Sequence, residues 1–192
     1  MKFYYTGSPK YNSIQWVPSL SLGGFVSSSE LPNDFVNNIF SNVSELSKQN
    51  LRREAILIAL KNTYNETIQN ITFSFNVDDF DQLISEFSIA FVKAKINNCD
   101  EIYFDQINDP QALPYLTFEV ISQTNYQFNI GNLVSGEVIG FWLVRKIIKE
   151  KVQPLSNDEV IYNYDNNIEL NTEESFSIEL DWSDDESYSD SL

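Results

Sequence analysis

The chain has 192 residues with 12 Lys+Arg against 28 Asp+Glu, no histidine, one cysteine and one methionine, for a net charge of −16 and a pI near 4.1. This length suits one domain with appendages or two small ones, and 42% hydrophobic and 14% aromatic residues are enough to fill a core, which excludes wholesale disorder. The acidity argues against a nucleic-acid backbone or an anionic membrane as partner, and the missing histidine removes the commonest general base and metal ligand.

Residues 1–34 mix scattered aromatics with Pro9, Pro18, Pro32, Gly23-Gly24 and the run Ser27-Ser28-Ser29, and no period lasts more than a few residues. The expectation is an extended arm whose large side chains, Tyr4, Tyr5, Trp16, Leu22 and Phe25, anchor on a partner. The first residues hold no apolar run of signal-peptide length, and no later run approaches a membrane span, so a soluble protein of a reducing compartment is expected. Across residues 34–46 the apolar positions Phe35, Val36, Ile39, Phe40, Val43 and Leu46 fit a short helix, or equally a turn and an edge strand. Residues 1–50 are therefore read as an N-terminal arm.

From there the period becomes two. Residues 53–61 form a continuous apolar run, the pattern of a strand with both faces covered. A polar turn at 62–66 leads to the alternating Ile71, Phe73, Phe75 and Val77, a strand expected to pair antiparallel with the first. Further strands are predicted at 87–96, 101–104, 116–121 and 138–148, the last entered through a Gly-punctuated turn at 131–136. Residues 51–151 thus read as an antiparallel β-sandwich of immunoglobulin/fibronectin-like type, all-β in class. Finally Phe176, Ile178, Leu180 and Trp182 alternate with polar residues, giving a strand at 176–182 that completes this sandwich or adds to a neighbour's sheet edge.

The charge divides sharply along the chain. Every base lies at or before Lys151, and residues 152–192 carry twelve acids, leaving sixteen acids against twelve bases in the rest. Residues 152–192 are accordingly an acidic C-terminal extension. A solvated tail is the plain reading. Its Tyr162, Tyr164 and Trp182, with Asp184, Asp185 and Glu186, fit better a segment that docks on a basic protein surface.

Reactive constellations are scarce. Cys99 has no histidine to activate it and no second cysteine to pair with. Asp78-Asp79-Phe80-Asp81 lacks the spacing, glycine and terminal Glu of an EF-hand loop, and reads as a solvated turn. There is no GxSxG, P-loop or GxGxxG motif. Phe73, Phe75, Phe141 and Trp142 fall on strand periods and read as core before they read as a sugar-binding platform. No catalytic residue, cofactor or metal site is expected. Arg53 and Arg145 either cap strand ends or face a partner.

Three segments resemble a known group: Pro18-Ser19-Leu20-Ser21-Leu22-Gly23-Gly24-Phe25-Val26-Ser27-Ser28-Ser29 with Asn37-Asn38-Ile39-Phe40; Arg53 to Leu60-Lys61-Asn62-Thr63; and Gly136-Glu137-Val138-Ile139-Gly140-Phe141-Trp142-Leu143-Val144-Arg145. In this order they resemble small virion structural proteins of tailed bacteriophages, in particular the ring (neck-to-tail connector) proteins of crAss-like phages of Bacteroides. The likeness spans residues 18–145 and fits the strand at 176–182, while the acidic stretch 152–175 departs from it. It implies a non-enzymatic virion subunit, made in the bacterial cytoplasm, that forms a homo-oligomeric ring and contacts portal, adaptor or tail components. Two other classes compete: an acidic DNA mimic that inhibits a host nucleic-acid enzyme, and a carbohydrate-binding β-sandwich.

Overall fold

The computed structural model describes residues 1–31, Phe40, 53–77 and 85–148, with residues 76–77 and 176–183 as backbone alone. Its strands are β1 (Lys2–Ser8), β2 (Gly24–Glu30), β3 (Arg53–Lys61), β4 (Ile68–Val77), β5 (Ser85–Lys93), β6 (Lys95–Ile96), β7 (Ile102–Phe104), β8 (Glu119–Val120), β9 (Gln127–Leu133), β10 (Val138–Ile147) and β11 (Phe176–Ser183). All pairings are antiparallel and there is no α-helix among the described residues. The strands form an eight-stranded sheet ordered β6-β7-β2-β1-β3-β10-β5-β8 and a three-stranded sheet ordered β11-β4-β9.

The expected two-faced strand is β3, and β10 beside it is of the same kind. They pair over nine residues, from Val138↔Lys61 to Lys146↔Arg53. Alternate residues of β3 enter two separate cores. Ile56, Ile58 and Leu60 face the three-stranded sheet, where Ile71, Phe73, Phe75, Phe128 and Leu133 meet them. Ala55, Leu57 and Ala59 point the other way, with Val26, Phe104, Trp142 and Val144. Phe73 is the peg of the first core, its ring 4.5 Å from Phe141, 6.0 Å from Phe91 and 6.3 Å from Phe3, all edge-on.

Among the described residues no second sheet covers the second core. Instead the large sheet curls: β7 is separated from β10 by three strands, yet the Phe104 ring lies where a Cβ on Gly140 would stand, 2.5 Å away. A side chain at position 140 would collide with that ring, so the glycine lets the sheet close this tightly.

Three expectations are corrected here. β4 does not pair with β3; it stacks across the core from it and pairs with β9 and β11. The reason lies in the patterns. β4 is apolar on one face only and suits a sheet with one wet side, whereas β3 needs a cover on each face. Residues 2–30, read as an arm, supply β1 and β2, and β1 pairs with β3 from Lys2↔Lys61 to Tyr5↔Ile58. Register shifts at Tyr4/Thr6 and Thr6/Ser8 erased the period that would have betrayed them. Gly7 and Gly23 sit at φ +81° and +94°, with backbone carbonyls of Leu20 and Asp105 in the space of any Cβ, so their glycines mark crossings rather than a linker. Lastly, Gly131 lies inside β9, where the β4–β9 register shifts, and the turn comes after Leu133. The helix-or-strand question at 34–46 falls outside the described residues except for Phe40.

Two buried polar groups fix the crossings. Beyond Tyr5, the edge of β3 is paired by loops: Leu57 N–H donates to the Ser21 carbonyl and Ala55 N–H to that of Pro110. Thr6 N–H donates to Ser21 Oγ, Ser21 Oγ donates to the Leu57 carbonyl, and Gly23 N–H donates to Thr6 Oγ1. At the opposite end, where the chain leaves one sheet for the other, Asn62 is fully buried. Its Nδ2 donates to the carbonyls of Glu66 (2.7 Å) and Leu133 (2.8 Å), and its Oδ1 accepts from Tyr64 N–H. Its own backbone bonds Glu137 and Gly136, tying the β3–β4 turn to the β9–β10 turn.

Replacing Asn62 by Ala orphans two carbonyls and an N–H at once. The expected loss is about 3 kcal/mol, taking roughly 1–3 kcal/mol per orphaned buried group with partial hydration of the turn. A lowered urea midpoint with an unchanged slope would show it.

Candidate functional site

The five N-terminal partner candidates are distributed rather than gathered. Tyr5 and Leu22 are buried. Phe25 is half-buried, stacked edge-on between Tyr11 and Tyr103. Tyr4 lines a cleft, and Trp16 alone stands free, 64% exposed. Trp182 lies in β11, of which only the backbone is described; Tyr162, Tyr164, Asp184, Asp185 and Glu186 fall outside the described residues.

Trp16 belongs to a larger feature. The loop between β1 and β2 displays Ile14, Trp16, Val17 and Leu20, all exposed. The loop is held from behind: Gln15 N–H donates to Ser27 Oγ, Ser28 N–H to the Ser13 carbonyl, Ser8 Oγ to the same carbonyl, and Ser13 Oγ to Lys10 O. A 3-10 turn at Pro18–Leu20 follows, closed by Ser21 N–H on the Pro18 carbonyl. The serine run that looked like linker composition lies in β2, where the Ser27 hydroxyl and the Ser28 N–H receive the loop. Four apolar side chains in seven residues, held by a hydrogen-bonded loop, form a pre-organised contact patch. A second exposed stretch, Leu113, Tyr115 and Leu116, lies beyond Pro110. Pro110 and Ser21 both anchor on β3, two residues apart. Sequence inspection missed this second stretch, whose only signal is Pro110 and Pro114 around exposed apolar residues.

The cleft that Tyr4 lines, of about 180 Å³, opens at the mouth of the curled sheet; Tyr11, Asn12 and Lys61 also border it, over Val26 and Val138. No acid is among its lining residues. Lys2, opposite Lys61 in register, is taken up by Glu30 at 2.5 Å, which raises its pKa. Burial, with the Glu30 charge behind it, raises that of Tyr4, so its phenol stays neutral. The cleft therefore presents one amine and two phenols beside Asn12, Ser27 and Ser28, with Val26, Ile102 and Val138 as its apolar lining.

The arginine alternatives separate. Arg145 is 5% exposed, paired to Glu54 at 2.5 Å, with the Phe40 ring 4.9 Å from its guanidinium carbon; it is internal. Arg53 is exposed, opposite Lys146. Phe73, Phe75, Phe141 and Trp142, at 0–2% exposure, are core, which removes them as a sugar platform. Cys99 is exposed in the β6–β7 turn. Among the described residues no group of three or more acids and cysteines is placed to hold a metal, and the Asp78–Asp81 cluster falls outside them. No helix among the described residues is long and apolar enough to cross a membrane.

Tyr5 gives this region a pH signature. Burial pushes its phenol from the ordinary 10.0 up to about 12. The neutral form is favoured in the fold, so this stabilisation is whole below pH 10 and is lost as pH rises through about 12. Chemical denaturation across that range should show a steep alkaline decline that Tyr5→Phe makes shallower; equal declines would contradict it. Comparison of the chain with protein-family models, with curated proteins and with solved structures gives no match.

Proposed function

We propose that this chain is a non-enzymatic structural subunit of a phage virion, forming an oligomeric ring in the neck or tail and contacting other virion proteins. The observation that carries this reading is the braced apolar loop 14–20. Ile14, Trp16, Val17 and Leu20 are exposed on a loop whose backbone is bound to β2, an arrangement that favours a contact surface over a solvated loop. The packing of β3, β10 and β5 against β4 and β9 supports a sandwich reading of immunoglobulin/fibronectin-like type for this part of the chain. The acidic extension adds a partner of opposite sign: a basic surface on a neighbouring protein, reached quickly because long-range attraction steers the encounter. Acidity also keeps the subunit off packaged DNA.

The direct experiment is cryo-electron microscopy and mass spectrometry of purified particles. The reading expects the chain in the particle as a ring. Its presence in infected-cell lysate but absence from particles would overturn the reading. At the residue level, Trp16→Glu should reduce the assembled fraction at least tenfold, the effect of removing one aromatic anchor of about 2 kcal/mol. Its melting temperature should match that of the unmodified protein, since Trp16 lies outside both cores.

A further inference from the structure

β11 pairs with β4 in an unbroken register from Phe176 to Asp181, with a shift before Ser183. Phe176 stands opposite Val77, Ile178 opposite Phe75 and Leu180 opposite Phe73, while Glu179 and Asp181 stand opposite Ser74 and Thr72. Apolar positions thus meet apolar ones and acids meet hydroxyl residues, so a slip by one residue would invert the pattern. β4 requires this partner. Phe73 and Phe75 are at the centre of the inter-sheet core, and without β11 their strand would present an open edge beside them.

The connection to β11 is far longer than closure within one chain demands. β10 ends at Ile147 and β11 begins at Phe176, at the end of β4 marked by Val77. Facing sheets lie about 10 Å apart and neighbouring strands about 5 Å, so closure spans on the order of 15 Å. The 28 intervening residues, 148–175, reach roughly 90 Å when extended. Connections in compact domains usually take about 4–6 residues. These 28 include seven acids and two bases. Because closure entropy changes slowly with length, the same strand can fill a neighbour's β4 edge at little extra cost once copies are held close.

We propose that β11 is an exchanged strand: in the assembled protein, β11 of one copy completes the three-stranded sheet of the next. Each copy donates one strand and accepts one through different surfaces, which is a head-to-tail interface that closes into a ring by rotation. The partner class is a second copy of this chain, and the inference rests on the assembly reading above.

The test is disulfide trapping in the full chain, with Cys99→Ser as background. Two differently tagged copies are co-expressed, one carrying Ser74→Cys and the other Glu179→Cys, residues opposite each other in register. Asn76→Cys with Ser177→Cys forms a second in-register pair, and Ser74→Cys with Ser183→Cys an out-of-register control. Exchange predicts mixed-tag disulfide adducts in the oligomer fraction for both in-register pairs, approaching the half of the chains that random mixing at equal expression allows, and none for the control. In a parallel experiment one chain carries both Ser74→Cys and Glu179→Cys; intrachain links alone in such chains, within oligomers sized by light scattering, would overturn exchange and leave the assembly reading standing. Monomers with intrachain links alone would overturn both.

Discussion

The architecture follows from one constraint: β3 and β10 carry apolar side chains on both faces, and water must be kept from each. One face is covered by a separate three-stranded sheet with Phe73 as its peg. The other is covered by the same sheet curling back until Phe104 rests on Gly140. A flat sheet would leave Leu57, Trp142 and Val144 wet, at about 2 kcal/mol for each large side chain. The polar groups at the crossings serve that arrangement. Asn62 satisfies the backbone where the chain changes sheets, and Thr6 with Ser21 satisfies it where β1 departs from β3.

The parts legible in the sequence were those whose side-chain pattern has one cause. The run 53–61 announced a strand covered on both sides, 138–148 a second long strand and 176–182 a further strand, and the structure contains strands at all three places, β3, β10 and β11. What stayed hidden had two causes acting at once. β1 and β2 contain bulges that break the period of two, and Gly23, Gly24 and the serine run carry the composition of a linker. Their tertiary roles, a close backbone crossing and the Ser27 hydroxyl that receives the loop, have no signature in spacing. The pairing of β4 was misjudged because a short polar turn suggests a hairpin, whereas covering β3 on one face requires β4 to stack on it.

The candidate surface was legible in part. Trp16 is where an anchoring aromatic was expected, while Tyr5 and Leu22 serve the core and Tyr4 borders a cleft. Reading the aromatics as a set failed because strand alternation sends neighbouring residues such as Tyr4 and Tyr5 to opposite faces. The net charge, too, has a position in the fold. Excess acid is concentrated in the segments before and after β11, so the strand that closes the β4 edge lies within the most acidic stretch of the chain.

Native-state hydrogen exchange followed by mass spectrometry tests the central constraint most directly. If the double-sided burial of β3 and β10 organises the fold, amides of residues 55–60 and 139–144 exchange only through global unfolding. Their opening free energy should then equal the whole stability measured in urea, with β6 and β7 opening well below it. Protection of β3 and β10 no greater than that of β6 and β7 would contradict the account.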